Sequence, residues 1–147
     1  MSRFLLDVNV LVALCWPEHR FHEVVQDWFG KNARKGWATC PMTQAGFLRV
    51  VSNPAFSSRA VSPIEAIRAL SMTLQHPAHQ FWPDDLLATD ALRVFGGRIV
   101  GHQQITDAYL LSLAIDKKGK LVTLDRSVAA LLPEGQDGHV VLLGTDS

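Results

Sequence analysis

Phe4-Leu5-Leu6-Asp7-Val8-Asn9-Val10-Leu11-Val12-Ala13-Leu14 is an apolar run with an acid near its start. A carboxylate set there faces a desolvation cost of several kcal/mol unless it is hydrogen-bonded, paired or bound to a cation. Asp7 therefore reads as a site residue. The residues around it read as a short buried strand over 3 to 8, then a helix from Asn9 to Cys15 that turns back and is broken by Trp16-Pro17-Glu18.

The same alternation continues along the chain. Phe21, Val24, Val25, Trp28 and Phe29 form the stripe of an amphipathic helix between His19 and Lys35, ended by Gly36. A short strand is expected over Trp37 to Cys40. Thr43 then serves as N-cap of a helix that turns Phe47, Val50 and Val51 inward and stops at Asn53-Pro54. Ser62-Pro63-Ile64-Glu65 is a helix start with a capping box, and Ile64, Ile67, Leu70 and Leu74 make its apolar face. His79 to Trp82 reads as a strand, and Leu86 to Phe95 as a helix closed by Gly96-Gly97. Gln103 to Lys118 is a helix packed on more than one side, with Gly119 as its stop. A buried strand over Lys120 to Leu124, a short helix over Ser127 to Leu132 and a last strand over His139 to Leu143 complete the pattern. Short apolar strands alternating with helices specify an α/β domain, a mostly parallel central sheet flanked by helices on both faces.

The 147 residues suit a single domain over 1–147 with a sizeable core. Fourteen basic residues balance fourteen acidic ones, so no global positive field draws the chain to nucleic acid and any such affinity is local. Cys15 and Cys40 lack metal-binding or disulfide spacing and read as reduced thiols. No apolar stretch of about 18 residues is present to span a bilayer. A soluble cytoplasmic protein is the expectation.

Three acids share one placement. Asp7 closes the first strand, Asp125 closes the Leu121-Val122-Thr123-Leu124 strand, and Asp107 opens the long helix behind Thr106. In open α/β sheets, residues beyond the carboxyl ends of the strands converge on ligands. Three close carboxylates repel unless a countercharge is present, and oxygen-only donors select hard ions such as Mg²⁺ or Mn²⁺. Phosphodiester hydrolysis by metal-activated water is the chemistry that follows. Each Asp taken singly also reads as a helix N-cap worth about 1 kcal/mol.

Leu5-Leu6-Asp7-Val8-Asn9-Val10-Leu11, Gly46-Phe47-Leu48-Arg49-Val50-Val51-Ser52-Asn53-Pro54, Ile105-Thr106-Asp107-Ala108-Tyr109-Leu110-Leu111 and Thr123-Leu124-Asp125-Arg126 together resemble the PIN-domain ribonucleases, in particular the VapC-like toxins of type II toxin-antitoxin pairs. The resemblance implies a PIN-like α/β/α sandwich, a Mg²⁺ or Mn²⁺ pocket, an RNA substrate, inhibition by a cognate antitoxin protein and a homodimer. It carries the catalytic and metal-ligand roles to Asp7, Asp107 and Asp125, and supporting roles beside them to Asn9 and Thr123. Relatives commonly have Glu where this chain has Gln44, and other PIN domains have one nearer Gly46. Gln44 still offers a neutral carbonyl oxygen, as a weak ligand or through water.

Asp84, Asp85, Asp90 and Glu18 are candidates to replace the missing charge, with a solvated loop or helix start as the simpler account. Arg49 and Arg126 are placed to contact RNA phosphate, or else to organise the carboxylates. Arg59, Arg93 and Arg98 read as solvated charges. His19 and His22 form an H-x-x-H pair without a third ligand and read as surface positions. Trp16, Trp28, Trp37 and Trp82 read as core, with an interface as the alternative. Two competing functions stand beside the ribonuclease: a catalytically weak or inactive PIN-like protein-interaction module, motivated by Gln44, and a phosphoacceptor domain, which lacks its second acid at Asn9.

Overall fold

The computed structural model describes residues 3–57, 59, 61–133, 135 and 137–144. Strands β1 (Phe4–Leu6), β2 (Trp37–Thr39), β3 (His79–Phe81), β4 (Lys120–Thr123) and β5 (Val140–Leu142) form one sheet in the order β3-β2-β1-β4-β5. Every pairing is parallel, with Leu5 opposite Ala38 on one side and Leu121 on the other. Parallel neighbours need crossover connections. The helices α1 (Val8–Cys15), α2 (His22–Asn32), α3 (Pro41–Val51), α4 (Pro63–Thr73), α5 (Ala88–Arg93) and α6 (Ile105–Asp116) provide them from β1 through β4, and 3-10 turns bridge β4 to β5.

Successive strand side chains point to opposite faces, and β1 divides the interior accordingly. Phe4 and Leu6 join Trp37 and Val122 in one core beneath α1 to α4. Leu5 joins Ala38 and Leu121 in a second core with α5 and α6. Both faces of the central strands are therefore covered, which is why β1 reads as an unbroken apolar run. Along α6, Ala108 to Ala114 are all buried, as for a helix packed on several sides.

The expected α/β/α sandwich is present, and the differences are local. Helix α3 begins three residues earlier than the Thr43 cap implies. Pro41 occupies its first turn and Cys40 its N-cap, while the Thr43 hydroxyl accepts from the Cys40 N–H at 3.0 Å. Thr43 thus completes a capping box from inside the helix. Helix α2 starts at His22, leaving His19 to Phe21 in the connection, and of the proposed stripe only Val25 is fully buried, with Val24 exposed. On α4 the capping box of Ser62 and Glu65 forms as expected, but Ala66 and Leu70 face the core while Ile64 and Ile67 are exposed. The segment after Asp125 is a 3-10 turn, Arg126–Leu131.

The end of α6 shows a further difference. Lys118, not Gly119, takes the left-handed conformation at φ 59°. Gly119 is required for another reason, because a Cβ there would meet the Arg3 carbonyl oxygen at 2.6 Å.

Helices α1 and α3 pack closely at the edge where Asp7 lies. A Cβ on Gly46 would stand 2.5 Å from Val8 Cγ2, so one methyl group separates the helices at the residue after Asp7. Gly46→Ala should lower unfolding free energy by about 1–3 kcal/mol through this overpacking, measured by urea denaturation.

Candidate active site

Asp7 leaves β1 at its carboxyl end and caps α1. It is 6% exposed. One carboxylate oxygen accepts from the Val8 N–H at 2.7 Å and the other from the Thr123 hydroxyl at 2.8 Å. Thr123 closes β4, the neighbouring strand, and its Oγ1 also accepts the Asp125 N–H at 3.0 Å. A single hydroxyl thus links the two acids. Burial pushes the Asp7 carboxyl up, the Thr123 and Val8 donors oppose that, and the Asp125 charge adds to the rise.

Asp125 is exposed and caps the following 3-10 turn, accepting from the Ser127 N–H at 2.9 Å and the Ser127 hydroxyl at 2.8 Å. Asp107 sits half-buried in the first turn of α6. Its carboxyl is pushed up to about 6, first by burial, then by the charges of Asp7 and Asp125. The three acids named from the sequence therefore sense one another across elements up to 118 residues apart in the chain, a separation read from the positions of Asp7 and Asp125.

The N-cap reading is also correct for Asp7 and Asp125, and it does not exhaust either residue. Each has hydrogen-bonding partners that a cap explains, yet among the described residues no Lys, Arg or His neutralises any of the three carboxylates. Among the described residues no group of three or more His, Cys, Asp or Glu side chains is arranged so that it could hold a metal ion. The donors fit a hard divalent cation by chemistry: they are all oxygen, mutually repelling, and Asp107 keeps its acceptors unshared among the described residues.

Gln44 is half-buried on α3, and its amide N–H donates to Thr39 Oγ1 at 2.9 Å at the end of β2. The same hydroxyl lies 2.8 Å from His79 Nε2. With the nitrogen of its amide so engaged, Gln44 retains its carbonyl oxygen as an acceptor. Asn9 is exposed and lines a cleft with Asp125 and Arg126. Arg49 is exposed on α3 and is absent from the lining of that cleft.

The other acids that could replace a missing charge have partners of their own. Asp85 pairs with Lys117, Asp90 with Arg93 and Glu18 with Arg59, while Asp84 accepts from the Met42 N–H at the start of α3. His19 and His22 do not form a ligand pair, because His19 Nδ1 accepts from the Phe21 N–H and His22 Nδ1 contacts the Ala13 carbonyl.

Sequence reading missed the other lining of the cleft, formed by His19, Arg20, Phe21 and Leu124. By spacing alone Phe21 matches the apolar stripe of α2. The available signal was its place just before the first turn of that helix, after the Trp16-Pro17-Glu18 break.

An all-parallel sheet carrying three carboxylates beyond its carboxyl edge, none of them in an ion pair among the described residues, defines an α/β protein with an acidic sheet edge. The PIN domain matches residues 4–131, and the chain belongs to that family, in its VapC-like branch. It is 43% identical to ribonuclease VapC38 of Mycobacterium tuberculosis (strain ATCC 25618 / H37Rv) over 140 residues, covering 95% of this chain and 96% of that protein. Its fold is similar to that of VapBC2 from Rickettsia felis, solved bound to a DNA fragment from their promoter, with TM-score 0.67 at 15% identity over 97% of this chain and 99% of that one. It is also similar to M. tuberculosis VapC20, a sarcin-ricin loop cleaving toxin, with TM-score 0.62 at 12% identity over 86% and 93% of the two chains. Among the described residues no helix is long and apolar enough to cross a membrane.

Two outcomes follow from the site's hydrogen bonds and charges. Thr123→Val leaves an Asp7 oxygen and the Asp125 N–H without their partner and should lower stability by about 1–3 kcal/mol, whereas Thr123→Ser should retain most of it; urea unfolding measures both. A carboxyl raised to about 6 in the folded state binds more protons there than in the unfolded chain, so its contribution falls as pH rises from roughly 4 through 6 and is absent above. In chelator, Asp107→Asn should therefore gain on the parent across that window, by about 1 kcal/mol after solvent screening, in thermal melts taken at each pH.

Proposed function

We propose that this protein is the ribonuclease toxin of a toxin-antitoxin pair, hydrolysing RNA phosphodiester bonds with Mg²⁺ or Mn²⁺ at the Asp7, Asp107 and Asp125 carboxylates. The observation that carries the reading is the gathering of three carboxylates at one sheet edge, where Asp7 and Asp125 share the Thr123 hydroxyl and the charges of both raise the Asp107 carboxyl. The near-full-length likeness to ribonuclease VapC38 supports the reaction class.

A divalent cation held there supplies positive charge beside the scissile phosphate and lowers the pKa of the attacking water. The protein's own residues do the positioning. Asp7 is fixed in orientation by Val8 and Thr123, and Thr123 transmits that geometry to Asp125. Asp107 sits in the first turn of α6, close enough for the charges of Asp7 and Asp125 to act on it. Gln44 offers a neutral oxygen where relatives commonly carry a charge, so the site holds its cation less tightly than a four-carboxylate arrangement. Arg126, beside Asp125 in the cleft, is placed to hold a substrate phosphate.

An antitoxin protein is the proposed inhibitor, supported by the fold's likeness to the toxin of a VapBC complex. Exposed apolar side chains, Ile64 and Ile67 on α4 and Leu87 and Val94 beside or just beyond α5, supply surface for that partner and for a second copy in a homodimer. The cytoplasm is the compartment proposed, where the free thiols of Cys15 and Cys40 stay reduced.

Purified protein incubated with single-stranded RNA should cleave it when Mg²⁺ or Mn²⁺ is present and stop when the metal is chelated. Asp7→Asn and Asp107→Asn should each reduce the rate by about 100-fold or more. Cleavage that survives either change would sink the proposal. Gln44→Glu should lower the metal concentration giving half-maximal rate. Metal binding that becomes measurable only in Gln44→Glu would favour the inactive interaction module instead.

A further inference from the structure

Of the three acids only Asp125 lines the cleft beside Asn9, and the rest of its wall has no part in holding a cation. Asn9, His19, Arg20, Phe21, Asp125 and Arg126 line a space of about 670 Å³, within the range of about 300–1,000 Å³ that holds small-molecule-sized ligands. The Arg20 guanidinium carbon lies over the Phe21 ring, 4.9 Å from its centroid. The His19 ring centroid is 6.1 Å from that of Phe21, at 42°.

This group is held in place. The Phe21 N–H donates to His19 Nδ1 at 3.0 Å, so the neutral imidazole carries its proton on Nε2 and presents a donor. Phe21 is seated against Gly144, whose φ is +72° and where a Cβ would lie 3.0 Å from the ring. The chain thus keeps a glycine where the aromatic ring needs the space.

We propose that Arg20 and Phe21 form a nucleotide-binding shelf, on which the base next to the scissile phosphate stacks while His19 Nε2 or Asn9 meets its edge and Arg126 holds the adjoining phosphate. The proposal rests on the reading of RNA as substrate and specifies where that substrate lies. Single-stranded RNA is recognised by stacking of unpaired bases on aromatic rings and guanidinium planes. A cation over an aromatic ring offers both the plane and the charge. Arg126, on the same wall, is of the residue type that contacts a phosphodiester backbone.

The test is the binding of a fluorescent single-stranded oligouridylate to the full chain in EDTA, read by anisotropy without cleavage. Matched probes carry one abasic nucleotide at successive positions. One abasic position should weaken binding to the parent about tenfold. Arg20→Ala should weaken binding of the intact probe by a similar factor and no longer distinguish it from that abasic probe. Phe21→Leu, which keeps an apolar contact to Gly144, should also lose the distinction. If its melting temperature shows that it folds poorly, Arg20→Ala decides alone. Lys31→Ala, on an exposed ion pair of α2, should match the parent.

No binding in EDTA, unchanged affinity in Arg20→Ala, or equal losses on intact and abasic probes would overturn the shelf. Failure of the ribonuclease reading looks different: no RNA is cleaved with either metal, whatever the binding pattern in EDTA.

Discussion

A carboxylate at the centre of a sheet has to find its donors within a few ångströms, and Asp7 finds them on two elements at once. The first residue of α1 supplies an N–H, and the last residue of β4 supplies a hydroxyl. Because Thr123 also receives the Asp125 N–H, its oxygen is a fixed point shared by the strand end, the helix start and the turn that follows β4. Stability and site geometry meet in that atom. The arrangement satisfies Asp7 without neutralising it, since hydroxyl and amide donors lower the carboxyl only against the larger opposing effect of burial.

The rest of the fold supports this edge from below. Phe4 and Leu6 anchor β1 in one core and Leu5 in the other, so β1 cannot tilt without disturbing both. Gly46 brings α3 against Val8, and the hydroxyl of Thr39 holds Gln44 at the end of β2. The cleft itself has a divided character, with Asp125 and Arg126 contributed by the turn after β4, and Arg20 and the Phe21 ring by the connection between α1 and α2. Rigid elements place the charges that must be close, while a loop supplies the wall that faces a larger ligand.

Much of this was legible in the sequence because it depends on residue type and period. An acid inside an apolar run marks Asp7, strand-ending positions mark Asp125, and Ser62 with Glu65 marks a helix start. Three-dimensional competition decided the rest. Thr43 suits an N-cap, yet Pro41 fits the first turn and draws the helix back to Cys40. Ile64 and Ile67 match a helical stripe, yet α4 turns Ala66 and Leu70 to the core instead. The Arg20–Phe21 pair was hidden for a related reason: an aromatic residue at the edge of an amphipathic pattern looks like core until the helix start is located. A glycine such as Gly119 reads as a helix stop, and only the approach of the Arg3 carbonyl shows what it is for.

The contact between Thr123 and Asp7 spans 116 residues, and it has a consequence during protein synthesis. Asp7 leaves the ribosome early, while its hydroxyl partner follows only after roughly 6–23 s at ordinary elongation rates. Until then the central strand lacks β4, its neighbour on one side, and the acids have no common edge on which to gather. A nascent chain, or one truncated before β4, therefore contains Asp7 and Asp107 without the strand that positions them. The cleft is a property of the finished polypeptide, completed only when β4 and the turn behind it are in place.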